Sequence, residues 1–214
     1  AELNLSDEQL KPYFPLERML DALVYTSNQL LGITLVADRS VQTWHEDVRF
    51  FWLEDRDGRR FAGLFMDLFA RRDKRGGAWR DVCQSRRNTA GRQQWPIAYL
   101  TCTFAPPAGP QPSLLTHHDL QTLFHEFGHC LHHLVTEVDW PQINGISNVE
   151  WDAVELPSQL LENWCWEEQI LERYARHGQS DEGLPAELKQ RLLRSRHFHK
   201  ALFLVRQLEY ALCD

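Results

Sequence analysis

Two hydrophobic periods divide this chain, and a Pro- and Gly-rich stretch from Ala105 to Pro112 separates them. Before it, aromatic and apolar runs at Val48-Phe50-Phe51-Trp52-Leu53 and from Phe61 to Phe69 flank Glu54-Asp55-Arg56-Asp57-Gly58. An Asp-Gly between two such runs predicts a β-hairpin, because glycine reaches the positive φ that a tight reversal needs. A third strand is expected from Ile97 to Phe104, with Pro96 before it and Pro106-Pro107 after it, since proline cannot continue a ladder. Upstream, Pro15 can open a helix, and Leu16, Leu20, Leu23 and Leu30 with Gly32 beyond predict a helix over 15–31. After the connector the spacing is helical. Thr116 is a candidate cap with Asp119 in the first turn, for a helix running to Leu134. A polar loop is expected from Thr136 to Ile146, then a long helical region over 147–177 opened by the capping-box pattern Ser147-x-x-Glu150, then a last helix from Pro185 onward. The expected fold class is mainly α with one small β-sheet.

A chain of 214 residues suits one domain, and 43% hydrophobic residues suffice to bury a core. The net charge of -7 leaves no broad basic footprint, so nucleic acid is not an expected partner. The local run Arg71-Arg72-Asp73-Lys74-Arg75 reads as a solvated turn. No run approaches the roughly 18 apolar residues of a membrane span, and Ala1-Glu2-Leu3-Asn4 lacks the character of a signal peptide. No membrane partner is expected. Five cysteines, odd in number and without a CxxC pair, argue against a disulfide framework and point to a reducing cytoplasm. There is no initiator Met, and Phe198, Ala201, Leu202, Val205, Leu208 and Leu212 keep a helical spacing that stops without a cap. A fragment of a longer protein is the expectation; the oligomeric state is left open.

The most chemically specific segment is Phe124-His125-Glu126-Phe127-Gly128-His129, which contains H-E-x-x-H. On a helix, His125 and His129 stand one turn apart on one face and can reach one tetrahedral Zn²⁺. Glu126 lies about 100° further round, off the metal but within reach of a water beside it. Leu123, Phe124, Phe127, Leu131 and Leu134 would bury the helix around the pair. A zinc hydrolase needs a third protein ligand and one open position. Val135 stands where a metzincin would carry a third histidine, and His132 where it would carry glycine, so that class is excluded. The downstream candidates are Glu137, Glu150, Glu155 and Glu162, and spacing does not choose among the last three. His132, on the same face as His129, is a candidate spare ligand or outer donor but reads better as a packed or solvated histidine; His117 and His118 read as helix-start residues. Pro157 removes a backbone donor two residues after Glu155, which predicts a bend in that helix.

The run from Phe124 to His129, together with Trp151-Asp152-Ala153-Val154-Glu155-Leu156-Pro157-Ser158-Gln159, resembles the two zinc motifs of the thimet oligopeptidase family of metallopeptidases. Further matches at Leu3 to Leu10, Lys74 to Trp79, Ala98 to Cys102 and Glu162 to Trp166 spread the resemblance over nearly the whole chain. It implies a zincin-like catalytic core of a larger helical metallopeptidase, in which residues 1–112 supply a helix and small sheet and 113–214 the zinc-site helices. It also implies Zn as cofactor, His125, His129 and Glu155 as metal ligands, Glu126 as the catalytic carboxylate, and short peptides as substrates. The Tyr- and His-containing segment that supplies oxyanion donors in the family would lie beyond Asp214, so the isolated piece is expected to bind zinc better than it cleaves. Asn144-Gly145-Ile146-Ser147-Asn148 resembles a mobile substrate-side loop of relatives, though an ordinary Gly-containing turn explains it equally well. The alternatives are a non-catalytic, zinc-stabilised helical interaction module and a related dipeptidyl carboxypeptidase.

Overall fold

A computed structural model describes residues 5–89 and 91–213. Residues 1–4, 90 and 214, which the expected parts 1–112 and 113–214 include, lie outside the described residues. Helix α1 (Asp7–Leu10) and a 3₁₀ turn (Lys11–Tyr13) lead into α2 (Leu16–Leu31). Strands β1 (Thr34–Ala37), β2 (Arg49–Glu54), β3 (Arg60–Phe69), β4 (Trp79–Gln84), β5 (Arg87–Thr89), β6 (Arg92–Gln94) and β7 (Ile97–Phe104) follow. Then come α3 (His117–Leu134), α4 (Leu156–Glu162), a 3₁₀ turn (Asn163–Trp166), α5 (Glu168–Tyr174), α6 (Ala186–Ser195) and α7 (Lys200–Cys213). Among the described residues no helix is long and apolar enough to cross a membrane.

The elements with a strong hydrophobic period fall where expected. Helix α2 ends at Gly32, whose φ of 70° lets its amide close on the Asn28 carbonyl at 2.8 Å. The β2–β3 hairpin is antiparallel, and β7 has the predicted bounds. Thr116 caps α3: its hydroxyl accepts from the Asp119 amide at 3.0 Å, and the Asp119 carboxylate accepts from the Thr116 amide at 2.8 Å.

The sheet is small, as expected, but it has five strands and mixed pairing. Its order is β1-β2-β3-β7-β4, with β3 and β7 parallel and the other pairs antiparallel, and β5–β6 form a separate two-stranded ribbon. About 40% of the chain is helical and 22% strand, so the class is mixed α/β and not mainly α. Four strands were not expected: β1, Thr-Leu-Val-Ala, is too short to show a period, β5 and β6 are exposed at every residue, and β4 reads Trp-Arg-Asp-Val-Cys-Gln, without alternation. Their pairing comes from backbone ladders that a sequence period does not report.

The long helix over 147–177 also divides. Gly145 and Asn148 take φ of 57° and 59°, residues 151–155 form turns, and no helix opens at Ser147. Pro157 sits in the first turn of α4, where its missing N–H has no intrahelical partner to lose, so it begins a helix and does not bend one. The last helical stretch breaks likewise into α6 and α7 at His199, φ 57°. Helix α7 has no buried residue, so its apolar spacing marks no part of this core.

Helix α3 lies across β7 and β4 and packs against α4. Its Leu120, Leu123, Phe124, Phe127, Leu131 and Leu134 share one core with Ala98, Leu100, Cys102 and Phe104, the alternate residues of β7. This burial, at roughly 25 cal/mol per Å² of apolar surface, fixes the helix against the sheet.

The basic run at 71–75 is not a solvated turn throughout. The Lys74 side chain is only 5% exposed, and its ammonium donates to the Asp67 carboxylate at 2.7 Å and to the carbonyls of Asp67, Phe69 and Cys102 at 2.9, 2.8 and 2.6 Å. Asp67 also accepts from Arg71 at 2.6 and 2.7 Å and from the Trp44 indole at 3.1 Å. Burial opposes its charge, but these donors win and hold the carboxyl at about 2, below the ordinary 3.8. Because the folded value is depressed, this stabilisation is complete above the ordinary value and is lost as pH falls through the folded one, on the order of 2 kcal/mol in all. Asp67→Asn is expected to cost about 3 kcal/mol in urea unfolding, since it strands a buried ammonium. Adding Lys74→Met should recover part of that loss; equal losses in single and double variants would contradict the pairing.

Candidate metal centre

Helix α3 brings His125 and His129 onto one face with ring centroids 4.9 Å apart and planes crossing at 84°. Glu155, the residue just before α4, places Oε2 3.2 Å from His125 Nε2 and 3.1 Å from His129 Nε2. Among the described residues these three form the one group of His, Cys, Asp and Glu able to hold a metal, with donor atoms within 4.8 Å of one another. Donors about 2.0–2.2 Å from a tetrahedral cation stand about 3.3 Å apart, so both Glu155 edges fit. Two imidazoles and a carboxylate suit zinc and its neighbours among divalent ions.

What lets Glu155 approach is Gly128, inside the H-E-x-x-H segment. A Cβ there would lie 2.6 Å from Ser158 Cα and 2.7 Å from the Pro157 carbonyl oxygen. The two helices therefore touch backbone to backbone, and any side chain at 128 would drive them apart.

Around the triangle each group has a defined neighbour. His125 Nδ1 is 2.7 Å from Glu162 Oε1, and that hydrogen bond raises its pKa above the ordinary histidine value. This is the outer carboxylate that commonly orients a ligating imidazole. Burial lowers the pKa of His129, and its Nδ1 has no hydrogen-bond partner among the described residues. Glu126, on the same helix, is half-buried and is not one of the three grouped donors. Burial first, and then the charge of Glu155, push its carboxyl above the ordinary range, against the pull of His125. Such a carboxylate holds a proton more readily than a solvated one.

The other candidates stand elsewhere. Glu137 and Glu150 are exposed and outside the group. His132 is half-buried and also outside it, while His117 packs on Trp166 at 4.2 Å with Nε2 3.0 Å from the Cys165 carbonyl. The 136–155 segment is pinned to the sheet side by Arg86–Asp139 at 2.7 Å and by the buried Asn144, whose amide donates to the Arg86 carbonyl at 2.7 Å and, within the segment, to that of Val138 at 3.1 Å.

A model of peptidase family M3 matches residues 1–214. The chain belongs to this family. Oligopeptidase A of Haemophilus influenzae is 46% identical over 211 residues, 98% of this chain and 31% of that protein. The dipeptidyl carboxypeptidase of Escherichia coli is 39% identical over 216 residues, all of this chain and 31% of that protein. The thimet-like oligopeptidase of Dictyostelium discoideum is 34% identical over 222 residues, all of this chain and 32% of that protein. The resemblance read from the two motifs therefore holds, as does the narrower one to bacterial oligopeptidase A carried by runs such as Lys74 to Trp79 and Glu162 to Trp166. The chain spans about a third of the length of these relatives.

Sequence reasoning placed Glu162 among possible ligands, and the structure gives it to the far nitrogen of His125. Ser158, whose hydroxyl lies 2.8 Å from Glu155 Oε2, was not singled out at all. Its spacing of three from Glu155 was the available signal.

Proposed function

We propose that this chain carries the metal centre of a zinc-dependent endopeptidase that hydrolyses short oligopeptides in the cytosol. In this reading His125, His129 and Glu155 hold the metal, and Glu126 is the general acid/base. The observation that carries it is the pair of 3.1 and 3.2 Å edges from Glu155 Oε2 to the two Nε2 atoms. The 214 residues are read as one piece of a zincin-like catalytic domain, its sheet side within 1–112 and its metal helices within 113–214. Oxyanion donors are assigned to parts of the relatives' length that the chain does not span.

Zinc, when bound, supplies a Lewis acid that polarises a peptide carbonyl and makes water more acidic. Glu126 takes the proton at its carboxylate as water attacks and returns it to the leaving amine. Its half-buried setting favours the protonated form it passes through. Glu162 holds the His125 ring in one tautomer by accepting from Nδ1–H, which leaves Nε2 free to ligate.

A non-catalytic zinc-stabilised module would be closed by a fourth protein ligand, and three are gathered here among the described residues. The dipeptidyl carboxypeptidase reading has support in the 39% identity to that enzyme, below the 46% to oligopeptidase A. The full natural chain is expected to hold one zinc per polypeptide, to lose it in His125→Ala, and to cleave an internally quenched peptide until a chelator is added. Cleavage that persists in metal-free protein would sink the reading. Release of C-terminal dipeptides alone would select the carboxypeptidase.

A further inference from the structure

We propose that Ser158 is a positioning residue of this centre, whose hydroxyl aims Glu155 Oε2 at the space between the two imidazoles. The inference rests on the reading of His125, His129 and Glu155 as metal ligands. Ser158 Oγ lies 2.8 Å from Glu155 Oε2, and this is the same oxygen that stands 3.2 and 3.1 Å from the histidine nitrogens. The side chain of Glu155 is 46% exposed, so without an anchor its rotatable bonds would leave the carboxylate free to turn into solvent. Ser158 itself is 0% exposed. Its hydroxyl cannot turn to water, and its other acceptor is the Glu155 carbonyl at 2.9 Å. One proton serves both oxygens, and the bond to the ionised carboxylate is the stronger of the two.

The anchor is itself fixed by the helix that bears the histidines. The Ser158 backbone lies in the space that a Cβ on Gly128 would take, between His125 and His129 in the chain. Helix α3 thus sets the place of Ser158, and Ser158 sets the place of the third donor. One lone pair of Oε2 is occupied by the hydroxyl, which leaves the other directed at the imidazoles. The plainer account, a serine that only closes the first turn of α4, uses the bond to the Glu155 carbonyl alone and predicts an effect on stability without one on metal affinity.

The test compares Ser158→Ala and Ser158→Thr with the parent in the full natural chain. Zinc affinity is read by competition with a chromophoric chelator, geometry by the visible spectrum of the Co²⁺-loaded protein, and folding by thermal melting with metal removed. Ser158→Ala is expected to bind zinc 10- to 100-fold more weakly, with an altered Co²⁺ spectrum and a metal-free melting temperature close to the parent's. Ser158→Thr, which restores the hydroxyl, should recover most of the affinity. Parent-like affinity and spectrum in Ser158→Ala would overturn this proposal and leave the ligand reading standing, as would equal losses in both variants. A parent chain that binds no zinc removes both.

Discussion

Glu126→Gln is expected to fold, to keep its metal, and to lose roughly 10²- to 10⁴-fold in kcat/KM, the usual worth of a positioned acid/base. Glutamine matches glutamate in shape, so the half-buried site need not rearrange. It stands off the His125–His129–Glu155 group, so metal content measured by elemental analysis should match the parent's. What the amide cannot do is take a proton from water and return it to an amine. Substrate affinity should change little, since the loss falls on the chemical step. Parent-like turnover in metal-replete Glu126→Gln would remove the proposed role.

Gly128→Ala is the second large effect, and its sign is the informative part. At an exposed position in mid-helix this change stabilises by up to about 1 kcal/mol, because alanine is the better helix former. Here the new methyl would meet Ser158 Cα at 2.6 Å and the Pro157 carbonyl at 2.7 Å, both backbone atoms that cannot swing aside. Overpacking of this kind costs about 1–3 kcal/mol and outweighs the propensity gain. The variant should unfold at lower urea concentration even in chelator, and it should also bind zinc far more weakly, because α4 carries Glu155 away as it yields. A Gly128→Ala protein more stable than its parent would mean that the helices do not touch.

The grouping of the candidate site was more legible than the fold that holds it. H-E-x-x-H is a local pattern, and its helix carries a strong apolar period through Leu120, Leu123, Phe124, Phe127 and Leu131, so sequence and structure agree on α3. Glu155 could not be separated from Glu150 or Glu162 by spacing, because the chain between the two halves of the site is a set of turns and not a helix of fixed rise. Only the resemblance to the family picked it out. Strands β1, β4, β5 and β6 went unread because they are short or mix polar and apolar residues without alternation, and a backbone ladder leaves no trace in such an order. Lys74 misled for a related reason: a lysine beside three arginines looks solvated until the carbonyls it meets, on β3 and on β7, are known.

That lysine has one more consequence. Its ammonium bridges main-chain oxygens of two parallel strands more than thirty positions apart in the chain, counting from Phe69 to Cys102. Strand ends ordinarily fray one by one, each opening costing little. Here lifting either end would strip a buried cation of a main-chain acceptor, so the lysine ties the end of β3 to that of β7. Since α3 packs on β7, the two histidines stand on the layer that this lysine ties together, while Glu155 reaches them from a segment of turns held to α3 at Gly128.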